Sequence, residues 1–423
     1  MPSSQSGADA IAAGVLESGV SLVTGYPGSP ATSIVDAIQE FSSPEQVQVI
    51  WNTNEKTAAE MAFGASLAGS RSLLCVKSVG FNIALDPLMT INLADCNAGF
   101  VILVGDDPGG WSSQNEQDSR AVALAIELPI LEPTSVSEAY SMVPFAYQLS
   151  ESASLPVIVR VTKALIDAET TFDSGDVSIP PLPSPMEVED KGKNLDAESW
   201  DNTVILPVNV VSNHHRLHQK LDTVQAHFER SPYNIVEGNG QKGVLVCGYA
   251  YQKLLDLFNE KIPPHLSVAR LGSFHPLPEK FVLNFLKSVE TLLVLEETAP
   301  LLEDAVTALA QRSGLTLPIF GRHSGDVIRA GELDSTLLTD ALNCLLPRFI
   351  TTSPPTTSRT MPSKQFYPAD CPYIPIFETL LDVISQFGTR QDTIIIGDPG
   401  CMVRGQNHFD LMDVKTSLGA SIS

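Results

Sequence analysis

An acidic side chain and a hydroxyl side chain stand at two points of this chain where an apolar run is followed by a helical pattern. Glu55 follows the run at residues 47–51 and begins a helix rich in small residues. Ser29 lies in the turn at residues 25–30, which reads Gly-Tyr-Pro-Gly-Ser-Pro. A carboxylate at the end of a strand can exchange a proton with a heterocycle, and a helix N-terminus attracts anions. Both positions are therefore candidates for chemistry.

Each position also has a purely structural interpretation. The helix dipole favours an acidic residue such as Glu55 in a first helical turn, and Ser29 is placed to cap the helix that follows it. The polar loop at residues 105–118, Gly-Asp-Asp-Pro-Gly-Gly-Trp followed by Ser-Ser-Gln-Asn-Glu-Gln-Asp, is either a functional loop on a rigid sheet or a solvated connection. The residue types alone leave both interpretations open in all three places.

The elements that position these residues follow one repeating pattern of a short apolar run, a turn rich in Gly, Pro and Asp, and a helical segment. The strands predicted for the first part of the chain are residues 20–24, 47–51, 72–76, 100–104 and 157–161. Helices are predicted at residues 31–40 and 55–68. This alternation predicts an α/β fold of doubly wound parallel sheets, with ligands at the carboxyl ends of the strands.

Two breaks in the pattern divide the chain into three predicted units. A first domain covers residues 1–169, and a linker with a connecting helix at 214–230 covers residues 170–240. A second domain, residues 241–350, has predicted strands at 243–247, 266–271 and 291–295. A Thr/Ser/Pro-rich linker, 351–365, precedes residues 366–423, with a predicted helix at 376–387 and strand at 393–396. These last residues are predicted to form a partial third α/β domain, because about 58 residues are too few for a doubly wound domain.

Composition narrows the classes of partner. The formal net charge of -23 argues against nucleic acid, because phosphate backbones are bound by clustered Lys and Arg. No run approaches the ~20 apolar residues that span a bilayer, so no membrane segment is expected. Residues 1–8 are polar and lack a signal region, and the six cysteines are scattered. A cytoplasmic protein is expected.

Four histidines in the connecting helix suggest a metal site: His214, His215, His218 and His227. His214 and His218 would share one face of the helix. Because no cysteine or carboxylate stands at a matching spacing, a polar helix is preferred to a metal site.

Several motifs occur in one order along nearly the whole chain. They are Tyr-Pro-Gly-Ser-Pro at 26–30, Asn-Glu-Lys at 54–56, Lys-Ser-Val-Gly-Phe-Asn at 77–82, the polar string at 112–118, His-Pro-Leu-Pro-Glu-Lys at 275–280, Leu-Glu-Glu at 295–297, the turn at 397–401 and Leu-Gly-Ala-Ser-Ile at 418–422. This ordered set resembles the thiamine-diphosphate-dependent 2-oxoacid:ferredoxin oxidoreductase family, in particular its indolepyruvate large (alpha) subunits.

The resemblance implies a thiamine-diphosphate-binding fold with a transketolase C-terminal-like second domain, in which the first domain binds the cofactor's aminopyrimidine. Glu55 would hydrogen-bond the ring nitrogen N1′, favouring the imino tautomer that deprotonates the thiazolium. Tyr26, Pro27 and Gly28 would contribute to cofactor binding. The substrate-binding residues implied by the resemblance are Ser29, Asn82, Ser113, Gln114 and Asn115. The implied reaction is oxidative decarboxylation of a 2-oxoacid such as an aryl pyruvate, with coenzyme A as acyl acceptor and ferredoxin as electron acceptor.

The chain departs from the family pattern in two places. Where the family has Cys-Pro-Gly-Cys, this chain has Cys-Pro-Tyr-Ile at 371–374, so Cys371 and Cys401 are either remnants of a 4Fe-4S site or ordinary thiols. The family's magnesium and diphosphate motif lies beyond the point that matches Ile422. The expectation is therefore a C-terminally truncated chain in an oligomer, whose site for Mg²⁺ and diphosphate is completed by another chain or copy. A non-redox thiamine-diphosphate decarboxylase and an inactive fragment or scaffold remain as alternatives.

Overall fold

A computed structural model describes residues 5–171, 203–346, 366–397 and 402–415 of the chain. Contacts divide the chain into two compact units, Met1–Thr356 and Thr357–Ser423. Residues 172–202 of the linker and connecting helix predicted at 170–240, the whole linker predicted at 351–365 and residue Cys401 lie outside the described residues.

The first unit contains a sheet of seven strands. They are β2 (Leu22–Gly25), β3 (Gln48–Trp51), β4 (Ser72–Lys77), β5 (Phe100–Asp106), β6 (Ile130–Leu131), β7 (Val157–Thr162) and β12 (Ser273–His275). Their order across the sheet is β12-β6-β7-β5-β4-β2-β3, and all neighbours are parallel except β12, which is antiparallel to β6. The five strands predicted for residues 1–169 are confirmed as β2, β3, β4, β5 and β7.

The strand order reverses at β2, since β3 pairs with one side of β2 and β4 with the other. In an open α/β sheet such a reversal opens a crevice outside the carboxyl ends of the strands. The segments that leave these ends are the turn at 25–30 after β2, the entry to the next helix at Glu55 after β3, and Lys77 at the end of β4. The fold therefore brings three separate sequence motifs to one crevice.

Helices cover both faces of this sheet. One face packs against α1 (Gly7–Glu17), α2 (Thr32–Phe41), α6 (Val136–Ala153) and α8 (Val210–Phe228), and the other against α3 (Glu55–Leu67), α4 (Ser78–Ile91) and α5 (Ser119–Ala125). Successive residues of β4 point to opposite faces of the sheet: Leu73 packs against the first set of helices and Leu74 against the second. Short elements complete this part: β1 (Gln5–Ser6), β8 (Glu169–Thr170), which is antiparallel to β1, and α7 (Lys163–Ile166).

A second sheet in the same unit has five strands: β9 (Ile235–Gly238), β10 (Lys242–Cys247), β11 (Leu266–Leu271), β13 (Thr291–Leu295) and β14 (Ile319–Phe320). Their order is β14-β13-β10-β11-β9, with β9 antiparallel and the others parallel. Its helices are α9 (Ala250–Leu257), α10 (Glu279–Leu286), α11 (Leu301–Arg312) and α12 (Ser335–Leu342). Strand β9 lies inside the segment predicted as linker and connecting helix, and β12 joins the first sheet although its sequence lies in the second predicted domain.

The second unit has its own small core. Its elements are α13 (Tyr373–Phe387), a 3-10 turn (Arg390–Asp392), β15 (Ile396–Gly397), α14 (Met402–Phe409) and β16 (Val414–Lys415), with β15 parallel to β16. Tyr367, Phe377 and Leu411 form the buried centre. The helix predicted at 376–387 begins three residues earlier, at Tyr373. No helix within the described ranges combines the length and apolarity that crossing a membrane requires.

Candidate active site

Glu55 begins α3 and is almost completely buried, with 2% of its surface exposed. The helix is capped by the preceding residue, because Asn54 Oδ1 accepts a hydrogen bond from the backbone N-H of Thr57 at 2.9 Å. A carboxylate can interact favourably with a helix dipole while it is exposed to solvent. Burial of a charged carboxylate, in contrast, costs free energy. The dipole interpretation of Glu55 therefore does not account for its burial.

The proton affinity of Glu55 is set by its surroundings. Burial raises the pKa of Glu55, while a backbone hydrogen bond and the positive charge of Lys77 act in the opposite direction without cancelling the increase. Lys77 is itself buried at the end of β4. A protonated carboxyl can donate a hydrogen bond to a ring nitrogen, which an ionised carboxylate cannot do. The site is therefore suited to holding a proton between Glu55 and a heterocycle.

Two glycines make room for these side chains. A Cβ atom at Gly80, in the first turn of α4, would lie 2.2 Å from Glu55 Oε1. A Cβ atom at Gly28, in the turn after β2, would lie 2.6 Å from Cδ of Lys77. Both distances are far below van der Waals contact, so neither position accepts a side chain without displacing its neighbour. The turn at 25–30, Lys77, Glu55 and Gly80 thus form one contiguous set.

Ser29 does not cap α2. The N-cap of α2 is Ala31, and no side chain there makes a capping hydrogen bond. Instead, Ser29 Oγ donates to Ser112 Oγ at 3.0 Å, and the backbone N-H of Ser112 donates to Asp107 Oδ2 at 2.7 Å. The capping interpretation is wrong, and Ser29 is joined to the polar loop at 105–118.

Asn82 is joined to the same loop through a pair of amide hydrogen bonds. Asn82 Nδ2 donates to Gln117 Oε1 at 2.8 Å, and Gln117 Nε2 donates back to Asn82 Oδ1 at 2.7 Å. Gln117 also contacts the carbonyl of Ser78, at 3.3 Å. The first turns of α4 and the polar loop are therefore held together on the exposed side of the crevice.

The remaining residues implied by the resemblance are less buried than Glu55. Tyr26 and Ser113 are half-buried, whereas Pro27, Gln114 and Asn115 are exposed. The Oγ atom of Ser113 is inaccessible and has no hydrogen-bond partner among the described residues. Asn115 Nδ2 reaches the side-chain oxygen of Gln117 at 3.5 Å. These residues offer polar groups on the surface, and Glu55 offers one in the interior.

The polar loop is not a freely solvated connection, because it is bound to the part of the chain that carries the second sheet. Glu116 Oε1 accepts hydrogen bonds from the backbone N-H groups of Gly109, at 2.9 Å, and Gly331, at 2.7 Å. Trp111 Nε1 donates to Glu332 Oε2 at 2.6 Å. The loop is thus bound to α4 through Gln117, and to residues 331–332 through Trp111 and Glu116.

Arg120, just after this loop, is a buried charge that sequence reasoning missed. Its guanidinium lies 2.6 Å from Asp118 Oδ2 and 3.0 Å from Glu296 Oε2, and it donates to the carbonyl of Glu297 at 2.9 Å. Arg120 itself has no measurable exposure. The available signal was Glu296-Glu297 at the end of an apolar strand, which contributed only to the resemblance. The contact joins the polar loop to the second sheet.

A second buried guanidinium supports the same region from the first sheet. Arg160, in β7, lies 2.6 Å from Asp106 and 2.9 Å from Glu132. Loss of one partner from such a buried pair leaves an uncompensated charge in the interior. These ion pairs therefore join β7 to the ends of β5 and β6.

The cysteine segment in the second unit packs as part of an apolar cluster. Cys371 and Ile374 both contact the core formed by Tyr367, Phe377 and Leu411. Cys371 is half-buried and makes no disulfide. Cys401, the other residue considered for a cluster remnant, lies outside the described residues.

Comparisons with known proteins identify relatives of this chain. The family model described as pyruvate flavodoxin/ferredoxin oxidoreductase, thiamine diP-binding, matches residues 13–230, which include Glu55 and the polar loop. The indolepyruvate oxidoreductase subunit IorA of Archaeoglobus fulgidus is 32% identical over 98% of this chain and 66% of its own length. The subunit of the same name from Pyrococcus abyssi is 34% identical over 75% of this chain and 48% of its own length. The chain thus spans about half to two thirds of these curated relatives.

A solved structure shares the fold. The 2-oxoglutarate:ferredoxin oxidoreductase from Magnetococcus marinus, solved with 2-oxoglutarate, coenzyme A and succinyl-CoA bound, superimposes with a TM-score of 0.61 at 15% sequence identity. The superposition covers 81% of this chain and 64% of the other. At this identity the likeness establishes the doubly wound α/β architecture alone.

Proposed function

This chain belongs to the pyruvate flavodoxin/ferredoxin oxidoreductase family of thiamine-diphosphate-binding proteins, and on that premise we propose that it supplies the aminopyrimidine half of a cofactor site in a 2-oxoacid oxidoreductase. The observation that carries the proposal is Glu55, a buried carboxyl with a raised pKa at the crevice where the strand order reverses. Residues 13–230, matched by the family model, contain every part of this crevice.

The described residues fit the aminopyrimidine. Thiamine diphosphate, when bound, supplies an electron sink for decarboxylation of a 2-oxoacid. Glu55 would hold the proton and donate a hydrogen bond to N1′, because burial favours the protonated form of its carboxyl. The charge of Lys77 limits how tightly Glu55 keeps its proton, so that the proton can move between carboxyl and ring. Gly80 leaves the space that the Glu55 carboxyl occupies.

The polar groups on the exposed side of the crevice are proposed to bind the substrate. Ser29 presents a hydroxyl that is hydrogen-bonded to Ser112, and Asn82 presents an amide that is fixed by Gln117. Asn82 keeps one Nδ2 hydrogen to donate to a substrate carboxylate, and Ser29 donates to it when its hydroxyl rotates away from Ser112. Ser113, Gln114 and Asn115 follow on the same loop. The relatives named for indolepyruvate favour an aryl pyruvate as the 2-oxoacid.

The other participants are proposed from the family. We infer that Mg²⁺ and the diphosphate are held by residues of another chain or copy, because enzymes of this type complete one cofactor site from two domains, often of different chains. Coenzyme A is proposed as the acyl acceptor and ferredoxin as the electron acceptor. A cytoplasmic location fits these partners.

Titration calorimetry with thiamine diphosphate and Mg²⁺ tests the proposal. Saturable binding is expected for the chain alone or with its oxidoreductase partner subunit. Glu55→Ala is expected to lower the affinity for thiamine diphosphate by about 10- to 100-fold, because it removes one hydrogen bond that involves an ionisable group. Glu60→Ala, at an exposed position of the same helix, is the matched control and should bind as the wild type does. Absence of binding in every combination, or equal binding by Glu55→Ala, would refute the proposal.

A second candidate is a non-redox decarboxylase that uses the same site. The observation in its favour is Ile374, which packs in the apolar cluster at the position where the family has a second cysteine. Iron analysis of anaerobically purified protein separates the two functions. A stoichiometric iron-sulfur cluster would exclude the non-redox enzyme, and iron-free protein that still decarboxylates a 2-oxoacid would establish it.

A further inference from the structure

Glu127 and two histidines of the connecting helix α8 meet on the surface of the first unit. His214 Nε2 lies 2.7 Å from Glu127 Oε2, and His218 Nε2 lies 3.5 Å from Glu127 Oε1. The two imidazole rings are 4.5 Å apart between centroids. We propose that Glu127, His214 and His218 bind a divalent transition-metal ion, with Zn²⁺ as the best match to this set of donors.

Two backbone segments, α8 and the turn between α5 and β6, bring these three donors together. His214 and His218 are four residues apart in α8, so their side chains share one face of the helix. Glu127 follows α5 and has a φ of 53°, in the left-handed region that a residue with a side chain adopts at a cost of about 1 kcal/mol. This conformation belongs to the turn between α5 and β6. The turn carries the carboxylate to the histidines from a distant part of the sequence.

The donor set is chemically suited to zinc. Two imidazole nitrogens and one carboxylate oxygen, with a fourth position for water, are a common arrangement around Zn²⁺. One candidate donor atom from each residue lies within 4.8 Å of the others. Ligand bonds of about 2.0–2.2 Å require the donors to approach somewhat closer to one another. The side chains of His214 and His218 are about half exposed, 49% and 55%, and so are able to rotate by the small amount needed.

The geometry of the carboxylate also favours a cation. Both of its oxygens already face imidazole nitrogens, with Oε2 2.7 Å from His214 Nε2 and Oε1 3.5 Å from His218 Nε2. A metal ion bound by these atoms would displace any proton that the nitrogens carry on that side.

A bound ion would connect α8 to the turn before β6. The inner face of α8 is already packed into the core through Leu217, Val224 and Phe228. Near the end of this contact, Lys220 Nζ lies 2.5 Å from Asp95 Oδ1. The ion would add a third attachment, at the N-terminal half of the helix. The sequence pattern suggested the two histidines but favoured a polar helix, because the third ligand, Glu127, is 87 residues from His214 and could not be predicted.

Equilibrium dialysis against Zn²⁺ with metal analysis tests the proposal on the full chain, freed of any histidine tag and stripped with a chelator. Tight binding by the three-residue site is expected in the wild type. His214→Ala, His218→Ala and Glu127→Gln are each expected to weaken it at least about tenfold, since each removes one ligand. Glu127→Gln keeps a hydrogen-bond acceptor for the histidines and so isolates the loss of the anionic ligand. His215→Ala is the matched control, because His215 is exposed on the same helix but outside the set.

Thiols are the competing ligands, because Cys344 and Cys371 are half-buried. Substitution with Co²⁺ distinguishes them, since thiolate ligands add an intense near-ultraviolet charge-transfer band that nitrogen and oxygen ligands lack. The expected spectrum has only weak visible bands, and these disappear in His214→Ala. Zn²⁺ at 100 times its Kd should also raise the Tm of the wild type by about 3–4 °C, and not that of His214→Ala. Failure to bind Zn²⁺, or binding that survives His214→Ala combined with His218→Ala, would overturn the proposal.

Discussion

At the scale of single residues, Glu55 is buried, whereas the other acidic residue of α3, Glu60, is exposed. The pKa of Glu55 is raised above the ordinary value for glutamate, chiefly by burial. For an acid, a folded-state pKa above the unfolded-state value means that the folded protein binds the proton more tightly. The resulting stability is complete below the unfolded-state pKa, near pH 4.5, and is lost as pH rises through the folded-state pKa. Above that range, the Glu55 carboxylate destabilises the fold.

Replacement of Glu55 by glutamine should therefore stabilise the protein at high pH while abolishing cofactor chemistry. We expect the Tm of Glu55→Gln to exceed that of the wild type at pH 8, and the difference to shrink as pH is lowered towards 4.5. Thermal melts over this pH range measure it. Glu60→Gln, which alters an exposed residue of the same helix, should follow the wild type. A pH-independent difference for Glu55→Gln would show that the carboxyl does not have a raised pKa.

The identity of Glu55 as a candidate could be predicted from its residue type and its position after a strand. The roles of Lys77 and Gly80 could not. Their importance depends on distances across the crevice, which the periodicity of one segment does not contain. Ser29 shows the converse error, since its local sequence favours a helix cap, whereas its actual hydrogen bond is to Ser112, 83 residues away.

At the scale of elements, the crevice depends on how closely α4 approaches the start of α3. Gly80 permits this approach, because any Cβ there would overlap the carboxyl of Glu55. Gly64 in α3 provides a contrast. A Cβ atom at Gly64 would meet no other described atom within 4 Å, apart from its own helix backbone and immediate chain neighbours.

Alanine at these two glycines should have opposite effects. Gly80→Ala is expected to displace Glu55, to lower the free energy of unfolding by about 1–3 kcal/mol and to weaken thiamine diphosphate binding. Gly64→Ala should instead raise the free energy of unfolding by about 0.5–1 kcal/mol, because alanine is the better helix former. Denaturant unfolding and calorimetry measure the two quantities. Unchanged cofactor binding by Gly80→Ala would contradict the close packing of α4 on Glu55.

Element prediction succeeded for the longer parallel strands that are followed by a turn and a helix, and failed for antiparallel edge strands outside that repeat. The buried parallel strands, such as β4 and β5, are apolar runs that stand out from the turns around them. The edge strands β9 and β12 run antiparallel and are not continuous apolar runs. The first sheet therefore has an edge contributed by residues assigned to the second domain.

At the scale of the whole first unit, buried ion pairs connect the two sheets through the loops that surround the site. Arg120 joins Asp118 in the polar loop to Glu296 at the end of β13. Lys253 extends the contact, since its Nζ atom lies 2.6 Å from Glu297 and 2.8 Å from Glu332. These charges compensate one another only in the folded arrangement. They therefore make the position of the polar loop depend on the second sheet.

Removal of Arg120 should be far more costly than removal of an exposed arginine. We expect Arg120→Ala to lower the free energy of unfolding by about 3–5 kcal/mol, because Glu296 would lose its ion-pair partner in the interior and Asp118 would keep only Arg160, at 3.9 Å. Arg312, whose pair with Glu279 at 2.9 Å is exposed, is the matched control, and Arg312→Ala should cost at most about 1 kcal/mol. Denaturant unfolding compares them. Similar losses for the two variants would mean that the buried network does not stabilise the unit.

The network could not be predicted because its members come from distant segments of the chain, such as residues 118–120, 253, 296–297 and 332. The composition did show a large excess of acidic residues, with a formal net charge of -23. It did not show which acids are buried. A buried acid differs from a surface acid only in its three-dimensional neighbours.

The most direct measurement of the central claim is a thermodynamic cycle between Glu55 and the N1′ atom of thiamine diphosphate. Calorimetry with Mg²⁺ and the partner subunit compares the cofactor with an analogue in which N1′ is replaced by C-H, on the wild type and on Glu55→Ala. If Glu55 donates a hydrogen bond to N1′, the wild type binds the analogue about 10- to 100-fold more weakly than it binds the cofactor, and Glu55→Ala binds both alike. Equal loss of affinity in both proteins, or no loss in the wild type, would contradict the role assigned to Glu55.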